Sequence, residues 1–120
     1  MDGLKDVRPR SVCVSAYLPT SKTAVIFGGE VDPSDRGHEG AGGFENDVLL
    51  LDSATGAFQE RIAPSITDAE WPEQRGWSDG DVIAASGDGN GGDALYIFGG
   101  LSGDDKDPRR LDDLWRLTLD

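Results

Sequence analysis

The chain has 120 residues, 23 acidic and 11 basic, for a net charge of -12. Such a field repels nucleic acid and anionic lipid, and there is neither a basic stripe nor a run of about 20 apolar residues to set against it. The single cysteine, Cys13, excludes an intrachain disulfide and a cysteine-based zinc site, and with no hydrophobic signal core at the N-terminus the expected setting is cytoplasmic.

Residues 1–9 read as an N-terminal lead, and the first expected strand, 11–17, follows Arg10. Cys13 lies in it and reads as a small buried hydrophobe. The segment 18–22 carries the Pro, Ser and Lys of an ordinary reversal, and the strand 23–27 then runs into the pair Gly28-Gly29. A loop, 30–45, lacks apolar periodicity and is rich in Gly and acids. Strands at 47–51, headed by Asp47, and 57–62 complete a first unit over 10–63. A second irregular stretch, 63–74, leads to Arg75-Gly76-Trp77 and strands at 81–86, 94–98 and 111–117, within a second unit over 75–120. No segment has a helical period long enough to be read as a helix.

The units repeat one another. Ala24-Val25-Ile26-Phe27-Gly28-Gly29 returns as Leu95-Tyr96-Ile97-Phe98-Gly99-Gly100, and each is preceded by an arginine and followed by an Asp-headed apolar strand, at Asp47 and Asp113. Repeats of roughly 50 residues built from short strands indicate propeller blades, each a four-stranded sheet unable to bury both faces alone. The spacing from Gly29 to Gly100 is 71 positions, and the two irregular loops account for most of the excess. Function is expected on those loops.

The strand-final Gly-Gly, the Asp-headed strand and the aromatic Phe58 after the next turn resemble the kelch motif. Within kelch proteins the chain is similar to the C-terminal end of the plant and fungal specifier proteins, through Arg10-Ser11-Val12, Ile26 to Asp32, His38 with Gly40, Arg75-Gly76-Trp77 and Leu111-Asp112-Asp113-Leu114. The resulting expectation is an all-β chain of seven strands. They would form about two antiparallel four-stranded blades of a kelch-type β-propeller fragment, the second lacking its outer strand. Two blades leave raw sheet edges and an uncovered apolar face, so a larger propeller, a protein partner or self-assembly is expected to complete them.

The loop after Gly29 brings carboxylates and the only histidine of the chain within ten residues, a donor set suited to non-heme iron(II). The resemblance implies a metal site formed by a Glu directly after Gly-Gly, an Asp four positions on and a His eight positions on. Glu30 and His38 match; Ser34 stands at the middle position, with Asp35 one further as the expected replacement and Asp32 also in reach. The plain alternative is an acidic, solvated loop. Trp77 is the candidate substrate-binding residue, since the family places that tryptophan near its pocket; the alternative is packing. Arg10 and Arg75 are expected to be structural hydrogen-bond donors. Gly87 to Gly92 satisfies G-x-G-x-x-G but opens no helix and reads as a hairpin turn, and Asp104 to Asp107 lacks the ligand spacing of a calcium loop.

The first functional expectation is therefore a kelch-repeat binding module with no reaction of its own. The alternative implied by the resemblance is an Fe(II)-dependent specifier-like protein that diverts glucosinolate aglucones toward nitriles; a third is an inactive fragment.

Overall fold

The structure, a computed structural model, describes residues 9–32, 43–63, 71–84, 92–104 and 106–119. The chain is all-β. Strands β1 (Val14–Leu18), β2 (Thr23–Asp32), β3 (Gly43–Asp52) and β4 (Phe58–Ile62) form a four-stranded antiparallel sheet in that order. Strands β5 (Asp79–Ile83), β6 (Ala94–Gly103) and β7 (Pro108–Thr118) form a three-stranded antiparallel one.

The repeat seen in the sequence is a repeat of register. Val14 faces Phe27 and Phe27 faces Val48 in the first sheet; Asp79 faces Phe98 and Phe98 faces Leu114 in the second. Both sheets also carry an isolated bridge before their first strand, Ser11 to Glu30 and Gly76 to Leu101. The residue after each bridge, Val12 or Trp77, has positive φ, so the backbone reverses there before the strand begins. This is why β1 starts at Val14 and not at residue 11.

The glycine pairs do not end their strands as expected. Gly28 and Gly29 have φ of 66° and 106°, Gly99 and Gly100 have 63° and 115°, and the strand register shifts across each pair. Glycine absorbs a bulge in the left-handed region that a side chain would resist, and the strand continues beyond it. β2 therefore runs on to Asp32 and β6 to Gly103, while β3 and β7 begin upstream of Asp47 and Asp113. The aspartates sit inside strands and do not head them. At the far end of β6, Asp104 Oδ1 accepts the N–H groups of Lys106 and Asp107 at 2.9 Å each, which closes the β6–β7 turn. The expected glycine-rich turn at 87–92 falls almost wholly outside the described residues.

Alternation sets what is buried. Val14, Leu18, Val25, Phe27, Val48 and Leu50 cluster with Leu95 and Ile97 of the second sheet, with Trp115 and Leu117 packed at the margin. One face of the first sheet thus covers one face of the second, the arrangement that period-2 strands with two apolar faces require. Gly80 permits the contact: a Cβ there would lie 2.6 Å from Val14 Cγ1. Polar ties fix the alignment. Gly29 N–H donates to the Arg75 carbonyl at 2.8 Å, Arg75 N–H to the Glu45 carbonyl at 3.1 Å and Trp77 N–H to the Val12 carbonyl at 2.9 Å. Asp93 accepts from Thr20 N–H at 2.6 Å and from its hydroxyl at 3.0 Å. Trp71 Nε1 donates to the Asn46 carbonyl at 2.6 Å, holding the connecting segment on β3.

A Cβ at Gly28 would meet the Arg75 carbonyl oxygen at 2.8 Å, whereas one at Gly56, φ 72°, meets nothing within 4 Å. Gly56→Ala is expected to cost only the left-handed strain, about 1 kcal/mol, and Gly28→Ala at least twice that. Urea denaturation at constant m-value measures both, and equal midpoint shifts would refute the role given to the Gly28–Arg75 contact.

Candidate functional site

Each glycine bulge is clamped by an arginine. Arg10 Nη1 donates to the Gly28 carbonyl at 3.1 Å and to Asp47 Oδ1, its Nη2 reaches Asp47 Oδ2 at 3.1 Å, and Arg61 Nε from β4 reaches the same oxygen at 2.8 Å. In the second unit Arg75 Nη1 donates to the Gly99 carbonyl at 3.1 Å and to Asp113 Oδ1 at 2.6 Å, with Nη2 on Asp113 Oδ2 at 2.8 Å. The guanidinium fork matches a carboxylate and a carbonyl together, which a lysine would not do. Arg10 and Arg75 are structural donors to the aspartate and glycine carbonyl of their own sheet, and Arg75 Nε also donates to the Glu73 carbonyl of the connecting segment at 3.0 Å.

The two aspartates differ. Burial pushes the Asp47 carboxyl up, but its bonds to Arg10 and Arg61 outweigh this and hold it below its ordinary value. The Arg75 guanidinium brings Asp113 down to about 2, against an opposing push from burial and with help from Trp115 Nε1, which donates to Oδ2 at 2.7 Å. The Asp113 side chain is 38% exposed where that of Asp47 is 1%. The reason is topological: β4 covers Asp47, and among the described residues β7 pairs only with β6.

Of the expected metal ligands, Glu30 lies on β2 opposite Phe44, tied through its backbone to Ser11 by bonds of 2.8 and 3.1 Å. Leu101 holds the corresponding place in the second unit. Asp35 and His38 lie outside the described residues, together with Ser34 and Glu39. Among the described residues no three His, Cys, Asp or Glu side chains gather into a group able to hold a metal. Trp77, the expected substrate contact, precedes β5 at the positive-φ reversal and is 44% exposed. Near that end of the sheets a cleft of ≈ 360 Å³ is lined by Phe44, Glu73, Ser102 and Arg109, among others. Glu73 Oε2 there accepts from Arg109 at 2.8 Å and Ser102 at 3.3 Å, and Asp104 adds a second carboxylate to the lining. Cys13 is half-buried and packs beside Gly29.

The second unit carries an uncovered apolar face. Phe27 and Val48, buried in the first unit, correspond by register to Phe98 and Leu114, which are 53% and 64% exposed. Tyr96 corresponds to Val25 and Ile83 to Leu18, while Asp79 and Asp81 stand where the first unit has Val14 and Ala16. Asp79, Gly80, Asp81, Tyr96, Phe98 and Leu114 line one shallow depression. Sequence reasoning located this face only as a general consequence of two blades; aligning the two units position by position would have named its residues. No protein-family model matches the chain.

The depressed Asp113 and Asp47 carboxyls set the sign of the acid response. Because the folded form keeps a charge that the unfolded chain loses below about 4, their stabilisation is complete above that pH and is lost for Asp113 as pH falls through about 2. Acid unfolding followed by tryptophan fluorescence should therefore show stability falling from pH about 4 to about 2, with a flatter slope in Asp113→Asn. An unchanged slope in that variant would remove Asp113 from the account.

Proposed function

We propose that this chain is a kelch-type repeat module that acts by binding protein, and that its open face is covered by another unit of the same build, supplied by a second copy of the chain. The observation that carries the reading is the face formed by the exposed Phe98 and Leu114 with the half-buried Tyr96, whose counterparts in the first unit are sealed against the second. Isolated exposed apolar residues are ordinary, but a contiguous patch made of positions that the same repeat buries elsewhere is an interface without its partner.

The chemistry of the two ends supports a head-to-tail match. Inside the chain, Val14 of the first unit rests on Gly80 of the second. Applied between copies, the same packing sets Asp79, the counterpart of Val14, beside Ser15, the counterpart of Gly80. An apolar pair is replaced by a carboxylate and an exposed hydroxyl able to donate to it. Tyr17, 48% exposed on β1, brings a second hydroxyl to the same side. Head-to-tail contacts of this kind close into a ring or grow into a filament according to the rotation per step.

Light scattering across a concentration series is expected to give a multimer for the native chain. Phe98→Ser and Leu114→Ser should each shift it to monomer, while altering thermal stability by no more than about 0.5 kcal/mol because neither side chain is buried within the chain. A native chain that stays monomeric at every concentration, or variants that assemble unchanged, would defeat the proposal.

A further inference from the structure

The edge of the second sheet is a separate feature from its face. In the first sheet β4 completes β3, with Ile62 opposite Val48, Arg61 opposite Leu49, Glu60 opposite Leu50 and Phe58 opposite Leu51. The register makes Leu114, Trp115, Arg116 and Leu117 of β7 the counterparts of those four β3 residues, and among the described residues no strand lies against them. Such an edge presents a row of backbone donors and acceptors ready to pair with another strand.

The side chains of β7 differ from those of β3 in ways that suit a particular occupant. Arg61 donates to Asp47 Oδ2 at 2.8 Å; at Asp113 the same oxygen receives Trp115 Nε1 at 2.7 Å, and no arginine arrives from a fourth strand among the described residues. Asp113 is left 38% exposed in its side chain, with carboxylate lone pairs beyond those taken by Arg75 and Trp115. Trp115 places an indole where β3 has Leu49, a surface over which a guanidinium stacks favourably. Arg116, exposed, takes the position of Leu50 and offers a cation to the residue across the edge.

We infer that β7 captures an extended segment of another protein chain, antiparallel to it, that carries an arginine opposite Trp115, an acidic residue opposite Arg116 and apolar residues opposite Leu114 and Leu117. The arginine lies over the Trp115 ring and bonds to Asp113, the acid pairs with Arg116, and the ladder bonds of the added strand complete the sheet. This rests on the β3–β4 pairing and the charges of β7, and stands whether or not the open face binds a second copy.

The chain's own β4 supplies the probe. A capped peptide with the sequence of residues 57–63, Ala-Phe-Gln-Glu-Arg-Ile-Ala, is titrated into the full chain, and hydrogen exchange of residues 108–118 reports where it binds. Saturable binding with protection of that segment is expected. Replacing the peptide's arginine by alanine should weaken binding about tenfold, the scale of one charge-assisted hydrogen bond. Arg116→Glu in the protein should weaken it by roughly two- to fivefold, with recovery when the peptide's glutamate is changed to lysine. Absence of protection at 108–118 with peptide in excess, or equal affinity for the arginine and alanine peptides, would overturn the inference. The charge-swap recovery excludes misfolding of Arg116→Glu as the cause of weakening.

Discussion

Arg75 bonds in two directions, and most of the structure hangs on the result. Its guanidinium, buried completely, holds the bulged backbone of β6 at Gly99 and the β7 carboxylate of Asp113. Its backbone, one residue's width away, gives its carbonyl to Gly29 and its N–H to Glu45 of the first sheet. The same residue therefore sets the internal geometry of one unit and its position against the other. A buried charge that lost Asp113 would be left uncompensated, which makes the pair hard to change one side at a time.

The glycines belong to this constraint. Gly28 is buried under the Arg75 carbonyl with no room for a Cβ, and Gly29 needs its N–H at that same carbonyl. Positive φ at both positions is the means by which β2 bulges toward the second unit without breaking. Gly99 and Gly100 repeat the angles, and a Cβ at Gly99 would meet the Leu111 carbonyl oxygen at 2.9 Å, so the second bulge is held within its own sheet.

The two units share a backbone plan but are not treated alike by the solvent. Where the first unit offers Val14, Ala16, Phe27 and Val48 to its neighbour, the second offers Asp79, Asp81, Phe98 and Leu114 to water. Where the first sheet ends on β4 with an arginine laid on Asp47, the second ends on β7 with a tryptophan indole turned to Asp113. These differences are concentrated on the open face and the open edge of the second sheet.

Strand identity was written in the residues. Alternating β-branched and aromatic runs around Val25 and Ile97, the glycine pairs and the arginine and aspartate landmarks are local signals, and they yielded seven strands, no helix and a break between two units. The sequence did not disclose what the glycine pairs do, because a glycine that ends a strand and one that bulges it look alike until the register with β3 or β7 is known. Nor did it disclose that Arg10 and Arg75 seek aspartates 37 and 38 positions away, a pairing made by topology and invisible to spacing. Of the expected site residues, Glu30 lies on β2 with its backbone bonded to Ser11 and Trp77 stands at the reversal before β5, while Asp35 and His38 lie outside the described residues. Which apolar side chains face water was decided only in three dimensions: Phe27 and Phe98 occupy the same position in the same motif, and only the packing of one sheet on the other buries the first and leaves the second exposed.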